Sequence, residues 1–358
     1  MEYTWGNGKA QYRAIGVSHM GRSKIASILS FVGIIILFSA CSREDYQYQG
    51  INIFTDSETL LSEYIPEGEV PYSSLFEVSD KVVLIGREGD MKSVAGDFNL
   101  RKEKGRVEAF SDVGILEEDL VSIYAGDDLP GIGLVHGQTL EYLKDGVPVL
   151  AVLLDGFSHE QYSILASEDR LPYFQELYQG RALSVFTPVT NAGFASIITG
   201  ELPLVNGVHD RSYRDIKVES IFGYAVDNSL SSLLLEGDIK ILNTEVEPVL
   251  NIDLNNDGDT DDEIMKAAME SIDEGYDLVF IHFHGIDDRG HEFGPYHRNT
   301  LEYVEVVEDY LIELDSVWEG AIIATADHGM IETEDGGDHG SCQYEDMIVP
   351  YFLREPSL

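Results

Sequence analysis

The chain has 358 residues, of which 44% are hydrophobic and 25% charged, a balance that supports a sizeable folded core. Its 65 acidic residues against 23 basic ones give a formal net charge of −42, which excludes a basic nucleic-acid groove. An anionic ligand therefore needs local positive charge, with bound metal its obvious source, and two cysteines, Cys41 and Cys342, exclude a disulfide framework or a cysteine-rich zinc module.

Residues 20–41 read MGRSKIASILSFVGIIILFSAC. Arg22 and Lys24 make a positive start, an uncharged and mostly apolar stretch follows over 25–40, and small Ser39 and Ala40 precede Cys41. This is the layout of a secretory signal peptide. Its end, LFSAC, resembles the lipobox of bacterial lipoproteins, with Phe38 where Leu is usual, and the resemblance implies cleavage and lipidation at Cys41. The alternative is an uncleaved anchor helix, since the stretch with its flanks is long enough to span a bilayer. Residues 1–19 are polar and precede a complete signal, so Met20 is read as the native start. Under either reading the protein is expected to be exported and to work outside the cytoplasm; the lipidated form would be held at the membrane by its lipid anchor.

Residues 42–70 are polar and irregular and read as a tether. Over 71–146, the β-type runs KVVLIG (81–86), RVEAF (106–110) and LVSIYA (120–125) alternate with turn pairs, which predicts a small β-rich domain without a chemistry-bearing motif. From 147 to 358 strands and helices alternate. The apolar run 147–154 ends in Asp155-Gly156, as a central parallel strand should. A helix with Pro172 near its start stops at Gly180, and strands are expected at 182–186, 239–243, 276–283 and 321–326. Helices are expected at 263–274 and 300–315, the second with Leu301, Val304, Val307, Leu311 and Leu314 on one face. The expected fold is α/β, a doubly wound, mostly parallel sheet with ligands at the carboxyl ends of its strands.

Metal-type residues stand at those ends. They are Asp155, then Asp287 and His291 in HGIDDRGHEFGP, Asp327-His328 in ATADHGM and His339 in GGDHG, while Thr190 in TPVTNAGFASIITG opens a predicted helix. Asp and His together suit zinc or a similar divalent ion better than an alkaline-earth ion. Two such ions about 4 Å apart stabilise both the attacking and the leaving oxygen of a phosphoryl transfer. A hydroxyl at a helix N-terminus sits where anions bind. Any one of these residues alone would read as a turn or a polar surface. Their joint placement does not.

The block 147–350 resembles the alkaline phosphatase superfamily, closest to its type I phosphodiesterase/nucleotide pyrophosphatase and phosphonoacetate hydrolase branch, through LLDGF, TPVTNAGFASIITGELP, GIDDRGHEFGP, TADHGM and GGDHG followed by EDMIVP. The resemblance implies that Asp155, Thr190, Asp327 and His328 hold one ion, Asp287, His291 and His339 a second, each Zn2+ or Mn2+, and that Thr190 forms a phospho-enzyme. Gly193 stands where the nucleotide branch has Asn, and Asn191, directly after Thr190, is expected to replace it as donor to a substrate oxygen, as the resemblance to the phosphonate-type relatives implies. The sulfatase pattern is missing. Arg211 and Arg214 are placed either to bind a second anionic group or to form surface ion pairs.

Residues 253–261 read DLNNDGDTD, and Asp253, Asn255, Asp257, Asp259 and Asp261 with Gly258 suit a structural Ca2+ loop, although Ile264 stands where an EF-hand has Glu. The alternative is an acidic solvated turn. His282 and His284 share a strand face near Asp287 and are read as supporting residues, and Cys342 as packing. The function expected is a membrane-anchored two-metal hydrolase of small phosphoric or phosphonic esters, phosphodiesters favoured. The alternatives are a phosphonate hydrolase, a phosphoethanolamine-type transferase and a non-catalytic binding lipoprotein.

Overall fold

The computed structural model describes residues 51–61, 65–76 and 81–356, with the backbone alone at 5–6, 9–10 and 60–61. Residues 1–48 and 49–358 form separate compact units. The expected signal segment and Cys41 lie outside the described residues. Among the described residues no helix is long and apolar enough to cross a membrane.

The second unit begins with a β layer of two sheets. Strands β1 (Asn52–Phe54), β2 (Thr59–Leu61), β4 (Lys81–Gly86), β5 (Met91–Ala95) and β9 (Leu120–Tyr124) form one, in the order β2-β1-β9-β4-β5. Strands β3 (Gly68–Pro71), β6 (Asn99–Glu103), β7 (Arg106–Ser111) and β8 (Gly114–Glu117) form the other, in the order β8-β7-β6-β3. Ile51, Ile53, Leu84, Leu100 and Val107 fill the core between them. The tether reading of 42–70 therefore fails from residue 51 onward. The polar run before it masked Ile51, Ile53 and Phe54, all buried, and burying them outweighs the irregular pattern around them.

Helix α1 (Leu134–Lys144) puts Val135 and Leu143 into the core of the α/β layer, so that layer starts before the expected boundary at 147. Its sheet is built from β10 (Val149–Leu154), β11 (Tyr178–Leu183), β12 (Ser232–Glu236), β13 (Val249–Leu250), β14 (Leu278–Phe283), β15 (Ala321–Thr325) and β16 (Ile348–Arg354). The order is β11-β16-β15-β10-β14-β12-β13, parallel from β15 to β13 and antiparallel where β16 meets β15 and β11. Every residue of β10, β14 and β15 is buried, as helices on both faces require of central strands. The helices include α2 (His159–Ser167), α3 (Pro172–Leu177), α4 (Thr190–Thr199), α5 (Asp261–Ser271), α6 (Gly285–Phe293) and α7 (Arg298–Asp315). On α7 the expected face is the buried one, with Val304, Val307, Leu311 and Leu314 in the core.

Two strand assignments move. The strand expected at 239–243 is a turn whose Ile239 is 54% exposed, and its place is taken by SLLLE at Ser232–Glu236. The strand expected at 182–186 starts earlier, at Tyr178, because α3 stops at Leu177 rather than at Gly180. At Ser232–Glu236 a buried pairing with β14 displaces the weaker local pattern of 239–243.

Candidate metal centre

Strands β15, β10 and β14 are adjacent and parallel, with Val149 level with Ala321 on one side and Leu278 on the other. Their carboxyl ends therefore open at one edge. Asp155 follows β10 directly, Asp327 and His328 follow β15, and α6 after β14 presents Asp287 and His291 one turn apart. Thr190 is the first residue of α4, where unpaired backbone N–H groups favour negative charge. Two glycines permit the approach. A Cβ on Gly156, at φ +72°, would lie 2.8 Å from Asp287 Oδ1, and one on Gly193 would lie 2.6 Å from Asp327 Cβ. At Gly193, α4 has no room for a side chain.

Asp155, Asp327 and His328 bring ligand atoms within 4.8 Å of one another, and so do Asp287, His328 and His339. The Thr190 hydroxyl lies 3.5 Å from Asp155 Oδ1 and 3.4 Å from His328 Nε2. His291 Nε2 lies 3.3 Å from Asp287 Oδ2, and His339 Nε2 3.7 Å from Asp287 Oδ1. Three backbone carbonyls, of Gly329, Gly337 and Pro188, each stand 2.9 Å from the Nδ1 of His328, His291 and His339 respectively. A carbonyl only accepts, so each Nδ1 carries a hydrogen, and Nε2 is the ring nitrogen that can offer a lone pair to a metal ion once its own proton is lost. Asp287 Oδ1 and Asp327 Oδ2 are buried without a hydrogen-bond donor, so both are open to a cation. The residues fit divalent ions of zinc type.

The electrostatics agree. Burial raises the Asp155 pKa, but hydrogen bonds from His282 and His284 outweigh it and hold the carboxyl well below its usual range. Burial, with Asp155 beside it, pushes Asp327 up to about 8. Burial, with the nearby His328, takes His339 down to about 3, whereas the hydrogen bond to Asp287 takes His291 up to about 9. Crowded carboxylates of this kind are relieved by a cation among them.

Behind Asp155 stand His282 and His284. His282, fully buried, donates from Nε2 to Asp155 Oδ2 at 3.1 Å, and its Nδ1 has no partner. His284 approaches the same oxygen with Nδ1 at 3.5 Å, while its Nε2 lies 3.4 Å from the Gly237 N–H. Burial lowers the His284 pKa and the carboxylates of Asp155 and Asp261 raise it, to about 9 on balance; with one proton or two, Nδ1 donates to Asp155. The two imidazoles clamp one oxygen of Asp155 and leave Oδ1 facing Thr190 and His328. Unlike His291, His328 and His339, His282 has no acceptor behind its Nδ1, which sets it as a donor to Asp155.

Other expectations change. Asn191 is 6% exposed and spends its amide hydrogens on the carbonyls of Tyr213, at 3.0 Å, and Ile241, at 3.2 Å, so it ties two loops to α4 and is not a free donor to substrate. Arg211 does reach the site, with Nη2 2.6 Å from His339 Nε2, but Arg214 donates to the Lys240 carbonyl. In the acidic loop, Asp253 accepts from the N–H groups of Asn256 and Gly258, and Asn255 bonds Asp257 and Asp262. Asp259 turns away to Arg289 at 2.8 Å and to the Tyr303 hydroxyl. Asp261 accepts from the N–H groups of His284 and Gly285 at 2.8 and 2.9 Å, capping the start of α6. Only Asp253, Asn255 and Asp257 of the five expected calcium ligands stay at the turn. That Asp261 holds α6, and with it Asp287 and His291, had no sequence signal beyond acidity.

Residues 237–348 match the family described as Type I phosphodiesterase / nucleotide pyrophosphatase. Among curated proteins, the human GPI ethanolamine phosphate transferase 3 catalytic subunit is 28% identical over 102 residues, 27% of this chain and 9% of that protein. The GPI ethanolamine phosphate transferase 1 of Chaetomium globosum is 30% identical over 92 residues, 24% of this chain and 10% of that protein. The matched stretch thus spans about a tenth of these relatives. Among solved structures, phosphonoacetate hydrolase from Sinorhizobium meliloti, in complex with phosphonoformate, aligns with TM-score 0.40 and 21% identity over 51% of this chain and 56% of its own. Murine ectonucleotide pyrophosphatase / phosphodiesterase 5, in complex with AMP, aligns with TM-score 0.42 and 15% identity over 51% and 57%.

Proposed function

We propose that the chain is a metal-dependent hydrolase of small phosphoric esters, with phosphodiesters favoured, acting through Thr190. The observation that carries this is the Thr190 hydroxyl at the head of α4, between Asp155 Oδ1 and His328 Nε2. Asp155, Thr190, Asp327 and His328 would hold one divalent ion, and Asp287, His291 and His339 a second. Such ions, Zn2+ or Mn2+, neutralise the phosphoryl oxygens and lower the affinity of the nearby hydroxyl for its proton. With a diester, the Thr190 oxygen attacks phosphorus, its hydroxyl proton leaves with the departing alcohol as the bond to that alcohol breaks, and water then cleaves the resulting threonine phosphodiester, releasing the phosphomonoester and restoring the hydroxyl. The N-terminal N–H groups of α4 face the developing negative charge. Arg211 stands beside His339, placed to meet a second anionic group of the substrate.

One observation favours a transferase as second reading, because the curated relatives carry that activity in their names. The two differ only in whether water or an alcohol takes the phosphoryl group from Thr190. Incubating the protein with bis-p-nitrophenyl phosphate and a rising concentration of ethanolamine or glycerol separates them. Nitrophenol release that stays equal to free phosphomonoester supports the hydrolase, and a phosphorylated alcohol supports the transferase. We place the protein outside the cytoplasm, lipid-anchored at Cys41, on the strength of the 20–41 sequence.

A further inference from the structure

The β layer carries no chemistry-bearing motif, yet it borders the loop that presents His339. From the α/β side, Asp346, fully buried, accepts from the N–H groups of Gly340, Ser341 and Gln343 at 3.1, 2.7 and 2.6 Å. From the β layer, Asn52 Nδ2 donates to the Ser341 carbonyl at 2.7 Å and approaches that of Cys342 at 3.4 Å. The Ser122 hydroxyl reaches the carbonyls of Asn52, at 2.8 Å, and Cys342, at 3.4 Å. Thr59 accepts from the Tyr344 N–H at 2.8 Å and donates to Glu345 at 3.1 Å. Phe54, Ile85, Val121 and Tyr124 share a buried cluster with Cys342, Tyr344 and Met347. Within this loop Cys342 holds φ 59°, a left-handed conformation that a residue with a side chain keeps only when its surroundings fix it.

We propose that the β layer is a wall of the metal centre, in which Asn52, Ser122 and Thr59 are positioning residues that fix the 339–345 loop and, through it, His339. The inference rests on the two-ion reading above and adds to it that the ion held by Asp287, His291 and His339 depends on the β layer. The ion held by Asp155, Asp327 and His328 does not. A ligand displaced by a fraction of an ångström loses affinity, so a loop end needs support from both sides. Asp346 supplies one side and the β layer supplies the other.

The test uses the chain from Ser42 onward, stripped of metal and titrated with zinc against a chromophoric chelator. Asn52→Ala combined with Ser122→Ala should weaken one of two bound ions by about tenfold or more and leave the other unchanged. Amide exchange at residues 340–343 should quicken in the same variant, without metal. Thr59→Val, a milder change that removes the hydroxyl alone, should act in the same direction and serves if the double variant does not fold. Val107→Ala, a cavity in the β-layer core away from the loop, should lower Tm while leaving both affinities in place. Wild-type affinity for both ions in the Asn52/Ser122 and Thr59 variants overturns the proposal, as does equal weakening of both ions. His339→Ala is the benchmark: if it leaves two ions bound as in wild type, the two-ion reading itself has failed.

Discussion

Replacing His282 by alanine removes a donor 3.1 Å from Asp155 Oδ2 in a place with no water to substitute for it, since His282 is fully buried and Asp155 is 3% exposed. A hydrogen bond to a charged group contributes about 1.5–3 kcal/mol. Loss of a partner behind a metal ligand lowers metal affinity about 10- to 100-fold, which is about 1.4–2.8 kcal/mol. The two ranges agree, so His282→Ala should weaken the ion at Asp155 by about that factor and reduce turnover at limiting zinc. His282→Gln carries an amide nitrogen at similar reach and should recover most of the affinity. Competition with a chromophoric chelator reads both. Asp155, His282 and His284 also lie within 4.8 Å of one another, so a third ion among them is the rival account. Three ions per wild-type chain, falling to two in His282→Ala, would refute the clamp, as would unchanged affinity in that variant.

Chelation should abolish activity, and zinc or manganese should restore it; a verified metal-free preparation with full activity would sink the mechanism. Thr190→Ala should cut turnover by orders of magnitude at near-normal metal content, while Thr190→Ser keeps measurable activity, both read from nitrophenyl ester hydrolysis. Glu236 gives a pH test. Burial raises its pKa from 4.5 to about 7, so the folded state disfavours its charged form, and stability is lost as pH climbs from 4.5 through 7. Glu236→Gln should therefore stabilise little at pH 4.5 and by about 3 kcal/mol at pH 8 in urea titrations; a gain independent of pH would count against the argument. Asp261→Ala leaves the His284 and Gly285 N–H groups without an acceptor and should cost about 2 kcal/mol or more, whereas calcium should leave the wild-type Tm nearly unchanged because Asp259 and Asp261 are committed elsewhere.

The parts of the site that were legible in sequence share a cause. A ligand at the end of a parallel strand follows an apolar run, so Asp155, Asp327 and His328 announce themselves through VLAVLL and AIIAT. The elements that hold those ligands left no such mark. The acceptors behind His291, His328 and His339 are backbone carbonyls, which any residue supplies. Asn52, in a stretch that reads as polar tether, meets Ser341 across 289 residues of chain, and no local pattern encodes that distance. Asn191 departs from its expected role for a related reason: its type suits a substrate donor, but the loops at Tyr213 and Ile241 arrive from elsewhere and take its hydrogens. Residue type is local information, and what a side chain touches is not.

The acidity of the chain bears on how this site handles an anionic ester. Asp155, Asp287 and Asp327 converge on one edge of the sheet, beside the imidazoles of His328 and His339. Taken as side chains alone, that edge is negative, like the chain as a whole with its 65 acidic residues against 23 basic ones, and it would repel a phosphoester. Two divalent cations held there, as proposed, would outweigh three carboxylates and reverse the sign at that edge. Arg211, 2.6 Å from His339, adds a positive charge beside it. An acidic surface around a small positive centre would confine anion binding to that centre, and on the proposed reading the contacts behind Asp155 and the β-layer wall would then matter as much to binding as to chemistry.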